Sequence, residues 1–330
     1  MGDGSLILLS LTLILALAYS YSNGLNDAAN ALAAVISTRA LTPFTAVLLG
    51  GVMNLAGALT GTAVAKTIGK GIVNPELMTQ TAVLAAIVAA VTWVVIASRI
   101  GSPVSVSHSL VAGVLGAGVA VAGVSGVNGT VGTKVLLALA FSPLLGFVFA
   151  FVLMVAVYWT FRDMPLPRVN LIFNKLQILS AALLSYTHGK NDAQNAVGIM
   201  ALGWAVYYSH DVTVSPWMQL TAGLAIGIGT AMGGWRVIRT LGTKITRLEP
   251  ASGFVANVTA ATVIEAASNI GLPVSTTHTA SSAIMGVGAT RGLTAISLGV
   301  VRGIFVVWLV TYPFCFALGY AFTKVFEGLT

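Results

Sequence analysis

The chain has 330 residues, of which 57% are hydrophobic and 8% are charged, with 16 Lys and Arg against 9 Asp and Glu. The mean hydropathy of +0.93 excludes an ordinary water-soluble domain. The basic residues stand between apolar runs and form no stripe with interleaved aromatic residues. This favours loop charges that set membrane topology over nucleic-acid binding. The single cysteine, Cys315, excludes an internal disulfide.

Apolar runs long enough to cross about 30 Å of hydrocarbon recur along the whole chain. None of them alternates apolar and polar residues as the strands of a membrane barrel do. The sequence therefore predicts an all-α polytopic membrane protein with about 12 hydrophobic segments. The N-terminal residues MGDGSLILLS lack the charge and the cleavage site of a signal peptide, so we expect the first run to be retained. The clearest runs are Leu6–Ser22, Phe44–Ala65, Met78–Ser98, Val135–Trp159, Met218–Trp235 and Leu293–Phe322.

Three motifs occur twice in the same order, which indicates an internal duplication. We therefore predict two repeats, residues 1–165 and 166–330, that form one transmembrane domain. The matching pairs are NDAANA from Asn26 with NDAQNA from Asn191, KTIGK from Lys66 with RTLGT from Arg239, and GSPVSVSHS from Gly101 with GLPVSTTHT from Gly271.

The charge distribution predicts that the two repeats have opposite orientations in the membrane. The seam Phe161–Asn170 is basic, whereas the two tails carry almost no Lys or Arg. Positive loops stay in the cytoplasm, so we expect a cytoplasmic seam and both termini outside, in the inner (plasma) membrane. Inverted repeats with broken or re-entrant helices bind substrate near the midplane, where the halves meet.

The NDxxN motifs place acids and amides on one helical face, because residues four apart are neighbours. We predict that the chain breaks at Gly24 and Gly189, so that a helix begins near each motif and offers free N–H groups to an anion. Helix capping is the alternative, but an acid within a membrane segment is by default a functional-site hypothesis. The predicted cation ligands are Asp27, Asn30, Asp192 and Asn195, and the predicted anion ligands are Asn26 and Asn191.

The GxPVS motifs interrupt two apolar stretches and are followed by hydroxyl residues. Broken backbone at membrane depth is tolerated where it is buried or lines a cavity. The hydroxyls can donate to an oxyanion, although Ser and Thr also join helices without binding anything. His108 and His278 occupy matching positions and can orient a neighbour. The predicted oxyanion donors are Ser105, Ser107, Ser275 and Thr277.

Two charged residues break the symmetry of the repeats. Glu265 stands where the first repeat has Val95, and it is either an additional cation ligand or a satisfied buried acid. Lys190 stands where the first repeat has Leu25, and we expect it to reach a membrane interface. The sequence contains no phosphate-binding glycine loop, no Cys or His cluster and no HExxH motif, so we expect no enzyme.

The motifs resemble the signature of the inorganic phosphate transporter (PiT) family of secondary carriers. GLNDAANA and HGKNDAQNA are similar to its duplicated core, and PVSTTHT at Pro273 is intact. The first copy reads PVSVSHS and departs from the family at Val106, where a Thr is usual. The resemblance covers both halves.

The resemblance implies uptake of inorganic phosphate, driven by Na⁺ or H⁺, by alternating access around a midplane site. We favour Na⁺, because amide and hydroxyl oxygens beside each aspartate are suitable ligands. No cofactor is expected besides the coupling ion. The alternatives are a carrier of sulfate or of metal–phosphate complexes and a passive anion channel. The sequence does not fix the oligomeric state, and a homodimer is compatible with it.

Overall fold

The chain folds entirely into helices, connecting turns and loops over the residues that the computed structural model describes, 3–329. The first and last residues of the predicted repeats, at positions 1, 2 and 330, lie outside this range. The helices are α1 (Asp3–Ser37), α2 (Pro43–Ala58), α3 (Ala63–Lys66), α4 (Gln80–Ile100), α5 (Val106–Ala122), α6 (Gly129–Phe161), α7 (Leu166–Tyr208), α8 (Pro216–Met232), α9 (Trp235–Arg239), α10 (Pro250–Asn269), α11 (Thr276–Ala289) and α12 (Leu298–Leu329). Within this range, the connections before α4, α6 and α12 each contain a 3₁₀ turn: Pro75–Leu77, Val124–Gly126 and Leu293–Ala295.

The all-helical class predicted from the sequence is confirmed, while the predicted apolar runs differ in detail. In the described range, α3 and α9 are single turns that continue into π-helical turns, Thr67–Gly71 and Thr240–Lys244. By length and composition, four helical segments can each cross a membrane: Ser5–Ser37, Gln80–Ile100, Gly129–Phe161 and Leu298–Leu329. The run Phe44–Ala65 is not one helix, because α2 and the segment Ala63–Gly71 meet at an angle of 63°.

The predicted breaks at Gly24 and Gly189 are wrong, because both NDxxN motifs lie inside continuous helices, α1 and α7. The glycines serve helix packing instead. A Cβ atom on Gly24 would lie 2.2 Å from the carbonyl oxygen of Ile226, and one on Gly189 would lie 2.1 Å from that of Asn54. Gly24 therefore lets α1 approach α8, and Gly189 lets α7 approach α2. Neither motif therefore begins a helix of its own.

The predicted breaks at the two GxP motifs are confirmed. α4 ends before Gly101, whose φ is +79°, and α10 ends before Gly271, whose φ is +73°. This left-handed conformation favours glycine, because other residues carry a Cβ that clashes there. Ser105 and Ser275 then cap α5 and α11 by accepting from the backbone N–H groups three residues further on. Each half of the chain thus contains a helical hairpin with a broken tip, α4–α5 and α10–α11.

Each hairpin packs against the last long helix of the other half. α5 packs on α12 and α11 packs on α6, while α1 lies against α8 and α2 lies against α7. α1 and α7 are antiparallel, because Gln177 near the start of α7 bonds to Thr38 at the end of α1. At the opposite end, Gly203 of α7 lies next to Thr12 of α1.

The apolar side chains form two large cores, one around each hairpin. One lies between α4, α5 and the C-terminal part of α7, and the other between α10, α11 and the C-terminal part of α1. The middles of α1 and α7, which carry the two NDxxN motifs, run between these cores.

Candidate functional site

The aspartates of the two motifs meet in the interior of the protein. Asp27 on α1 and Asp192 on α7 are both buried, at 2% and 0% exposure. The hydroxyl of Thr276, the first residue of α11, lies 3.1 Å from Asp27 Oδ2 and 3.2 Å from Asp192 Oδ2. Two carboxylates that share one donor form a single acidic centre, to which the two halves contribute one acid each.

His188 lies beside both carboxylates. Its Nε2 atom is 3.6 Å from Asp27 Oδ2 and 3.5 Å from Asp192 Oδ2. Its Nδ1 atom lies 2.5 Å from Asn54 Oδ1, and Asn54 uses its own N–H groups on Gly50 and Thr230. Nδ1–H of His188 is therefore the donor in this contact. Nε2 can then donate to the carboxylates when it is protonated, or coordinate a cation with them when it is not.

The hairpin tips bring hydroxyl groups onto the same centre. Thr277 Oγ1 donates to Asp27 Oδ1 at 2.8 Å and accepts from Asn30 Nδ2 at 3.2 Å. In the other half, Ser107 Oγ accepts from Asn195 Nδ2 at 2.9 Å. The second residue of α11 thus contacts α1, and the second residue of α5 contacts α7. The N-terminal ends of both hairpin helices point toward the acidic centre.

The predicted anion ligands Asn26 and Asn191 face the first arms of the hairpins. Asn26 Nδ2 donates to Ser98 Oγ at 2.9 Å, and Asn191 Nδ2 donates to Ser268 Oγ at 2.8 Å. These equivalent contacts tie α1 to α4 and α7 to α10. Both amide groups are buried, next to the aspartates in sequence.

Ser105 and Ser275, also predicted as oxyanion donors, act as helix caps. Each accepts a hydrogen bond from a histidine N–H, His108 or His278, at 3.1 Å. Ser105 Oγ also contacts His108 Nδ1. The two imidazole rings lie 4.6 Å apart between centroids, so the starts of α5 and α11 approach each other closely. The backbone N–H groups at the starts of α5 and α11, together with the positive ends of the helix dipoles, favour a bound anion.

Several buried oxygens on α1 and α7, at and near the two NDxxN motifs, accept no hydrogen bond from residues 3–329. Buried polar atoms are nearly always partnered, so such a concentration of acceptors is unusual. Acceptors without donors are suitable ligands for a hard cation, which binds carboxylate and amide oxygens. The atoms are Asn23 Oδ1, Asn26 Oδ1, Asn30 Oδ1, Asn191 Oδ1, Asn195 Oδ1 and Asp192 Oδ1.

Glu265 has its described contacts away from the two aspartates, although it was predicted as a cation ligand. Its Oε1 atom lies 2.5 Å from Lys190 Nζ, and Lys190 Nζ also contacts Asn269 Oδ1 at 2.7 Å. The side chain of Lys190 is 13% exposed. Lys190 was expected to reach a membrane interface, but it forms a partly buried ion pair instead. Glu265 Oε2 is buried and has no hydrogen-bond partner among residues 3–329, so its role as a cation ligand stays a prediction.

Four residues at the centre did not figure among the predicted ligands: His188, Asn54, Thr276 and Asn23, whose Nδ2 atom donates to Asp192 Oδ2 at 3.1 Å. His188 precedes Asp192 by four residues, a spacing that signals a shared helical face. Asn54 is a lone amide in an apolar run, which marks it as functional or partnered. Thr276 carried no such signal, because its counterpart in the first half is Val106.

A helical bundle with a paired acidic centre inside apolar helices is the architecture of a membrane transporter. The sequence profile of the phosphate transporter family matches residues 23–319. The chain belongs to this family, so the resemblance drawn from the motifs is confirmed. Membership also confirms the expectation of a transporter rather than an enzyme.

Similar proteins extend over nearly the whole chain. The protein named "Probable low-affinity inorganic phosphate transporter" from Bacillus subtilis (strain 168) is 42% identical over 321 residues, covering 96% of each chain. A protein of the same name from Rhizobium meliloti (strain 1021) is 41% identical over 302 residues, covering 90% of each. A solved structure titled "The sodium-dependent phosphate transporter" has a TM-score of 0.90 and 28% identity, and the match covers 98% of this chain and 100% of that one.

Proposed function

We propose that the protein imports inorganic phosphate together with Na⁺, by alternating access around the centre formed by Asp27 and Asp192. The observation that carries this proposal is the set of buried oxygens, unpartnered among residues 3–329, on the two helices that bring the two carboxylates together. H⁺ is the alternative coupling ion. It is less favoured, because amide oxygens ligate Na⁺ but do not take up a proton.

The charge balance at the centre supports obligatory coupling to a cation. Phosphate near pH 7 carries between one and two negative charges, and the two aspartates add two more. Such a concentration of negative charge inside a low-dielectric site is prohibitive unless cations bind or the acids are protonated. Lys190 does not offset it, because its ammonium group is already paired with Glu265. The proposed Na⁺ ligands are Asp27, Asn30, Asp192 and Asn195.

The phosphate would lie where the N-terminal ends of α5 and α11 approach each other. Backbone N–H groups at a helix start bind oxyanions with the help of the helix dipole. Ser107 and Thr277 lie at these starts and contact the motif amides. The proposed phosphate ligands are Asn26, Ser105, Ser107, Asn191, Ser275 and Thr277.

Alternating access follows from two inverted repeats, residues 1–165 and 166–330, in the plasma membrane. The order of elements supports this division, because a long helix, a broken span, a hairpin and a second long helix occur in each half. The antiparallel arrangement of α1 and α7 supports opposite orientations. With the basic seam in the cytoplasm, both termini would lie outside.

A carrier of metal–phosphate complexes is a second candidate, favoured by one observation. One ligand atom each from Asp27, His188 and Asp192 lie within 4.8 Å of one another. A neutral imidazole nitrogen with two carboxylates suits a divalent transition metal better than Na⁺. The name of the solved relative, a sodium-dependent transporter, favours the Na⁺ proposal.

Proteoliposome uptake separates these candidates. Labelled phosphate is expected to accumulate above equilibrium when an inward Na⁺ gradient is imposed at fixed pH, and to equilibrate without it. Uptake that needs a pH gradient but no Na⁺ would contradict Na⁺ coupling, and uptake abolished by a divalent-metal chelator would favour the metal–phosphate carrier. An excess of unlabelled sulfate tests for the sulfate carrier, because it would compete with labelled phosphate for uptake. Passive equilibration under every gradient would indicate a channel.

A further inference from the structure

A cavity of about 510 Å³ lies beside the α4–α5 hairpin, between the end of α4 and the start of α9. Its wall includes Ser98, Arg99, Trp235 and Arg236. Both arginines are exposed. The cavity adjoins the broken tip of the hairpin, since Gly101 follows Arg99 by two residues.

The two guanidinium groups at this cavity have no acidic partner among the described residues. Arg236 Nη1 donates to the backbone carbonyl of Arg99. The ion pairs formed within residues 3–329 involve other side chains. Two exposed guanidinium groups without an acidic partner in this range are available to bind an anion. The planar fork of an arginine matches the oxygens of a phosphate group.

The equivalent place beside the α10–α11 hairpin carries an ion pair whose charges cancel. By the alignment of the repeats, Leu25 and Val95 of the cavity correspond to Lys190 and Glu265. There the Lys190 ammonium lies between Glu265 Oε1 and Asn269 Oδ1, at 2.5 and 2.7 Å. The charge of Lys190 is thus neutralised within the protein. The fold itself does not require an unpaired cation at this position. The unpaired positive charge therefore lies on one side only, and it comes from Arg99 of the first repeat and Arg236 of the second.

A pair of hydrogen-bonded side chains connects the cavity wall to the motif that carries Asp27. Ser98 lines the cavity, and its Oγ atom accepts from Asn26 Nδ2 at 2.9 Å. The hydroxyl hydrogen of Ser98 is therefore available to a ligand in the cavity. Asn26 is adjacent to Asp27 in sequence, and its own Oδ1 atom has no partner among residues 3–329.

We propose that this cavity is a second oxyanion site that takes a phosphate group, bound by Arg99 and Arg236 with Ser98 as a hydroxyl donor. As a waiting position for phosphate on its path to the acidic centre, it rests on the proposed transport function. The binding of a phosphate group in the cavity does not depend on the transport function. The phosphate group can belong to inorganic phosphate in transit or to a lipid headgroup, and the two sources are distinguished by experiment.

Modification by phenylglyoxal, mapped by mass spectrometry on the full-length protein in phosphate-free maltoside detergent, tests the site directly. Inorganic phosphate at ten times its Kd is expected to slow modification of Arg99 and Arg236 by about tenfold. Arg302, exposed on α12, is the matched control and should react at an unchanged rate. Equal rates at Arg99 and Arg236 with and without phosphate would overturn the proposal.

The same footprint on Asp27→Asn separates this site from the transport site. Protection of Arg99 should persist in that variant, even where coupled transport is lost. If protection disappears with Asp27, then the arginines report only on the central site, and a second site is refuted. In nanodiscs, protection before any phosphate is added assigns the site to a lipid headgroup. Protection that appears only with added phosphate assigns it to the transported anion.

Uptake kinetics test the waiting position. Arg99→Gln removes a guanidinium group without breaking a described contact of that group, so the variant is expected to fold. It should raise the phosphate concentration for half-maximal uptake by about five- to tenfold, the value of one charge-assisted hydrogen bond. Arg302→Gln should leave it unchanged. An unaltered half-maximal concentration in Arg99→Gln would contradict a position on the path.

Discussion

Asp27→Asn and Asp192→Asn are each expected to abolish Na⁺-dependent phosphate binding. Asparagine keeps the size of the side chain but removes the charge that would hold a coupling ion. Removing one partner from a buried charged cluster costs about 3 kcal/mol or more, which corresponds to roughly a hundredfold loss of affinity. The measurement is binding of labelled phosphate to purified protein across a Na⁺ titration. Asp211→Asn, at an exposed loop position, is the matched control.

The binding of Na⁺ and the binding of phosphate are compared in each variant. Each variant should lose Na⁺ binding, and the loss of phosphate binding should follow from it. A variant that stays monodisperse and retains the wild-type Na⁺ dependence would show that its aspartate holds no coupling ion. In that case the carboxylate would serve as a hydrogen-bond acceptor, at Asp27 for Thr276 and Thr277 and at Asp192 for Thr276 and Asn23.

Thr277→Val is expected to weaken phosphate binding about tenfold or more, because the loss of a buried hydrogen bond to a charged group costs roughly 1.5 to 3 kcal/mol. Valine has nearly the same shape but can neither donate to Asp27 Oδ1 nor accept from Asn30. Phosphate and Na⁺ half-saturation are measured side by side. Thr262→Val is the control, since this exposed hydroxyl bonds only to the carbonyl of Val258 in its own helix.

The comparison of the two half-saturation values shows which ion Thr277 serves. A larger shift for phosphate than for Na⁺ agrees with a hydroxyl that binds the anion. A shift confined to Na⁺ would place Thr277 among the cation ligands, through Asp27. Unchanged values for both ions would remove this hydroxyl from the site.

The pairing of the two motifs could be predicted from the sequence, because buried acids are costly and a duplicated one implies a shared purpose. The hairpin tips were predictable as well, because Pro lacks an N–H group and Gly tolerates positive φ. Both signals are local. They identify which residues must leave regular structure whatever packs around them.

The role of Gly24 and Gly189 could not be predicted in the same way. A glycine permits either a chain break or a close helix contact, and the choice depends on the neighbour that approaches it. Here the carbonyl groups of Ile226 and Asn54 approach within the space of a Cβ atom. That contact joins segments far apart in sequence, and no periodicity records it.

The ion pair of Lys190 with Glu265 eluded prediction for the same reason. The two residues lie on α7 and α10, and each was interpreted alone: Lys190 as an interfacial cation, and Glu265 as either a cation ligand or a satisfied buried acid. The repeat alignment held the missing clue. Both residues depart from the first half, where Leu25 and Val95 are apolar, so two unmatched charges of opposite sign stand at equivalent sites.

The measurement that tests Na⁺-coupled binding most directly is the reciprocal dependence of the two affinities in the wild-type protein. The Kd of phosphate is measured at zero and at saturating Na⁺, and the Kd of Na⁺ at zero and at saturating phosphate. Thermodynamic linkage predicts that both fall by the same factor. In Asp27→Asn the coupling should be lost, so that neither Kd depends on the other ion. A phosphate affinity that is equal at zero and at saturating Na⁺ would contradict a shared centre for the two ions.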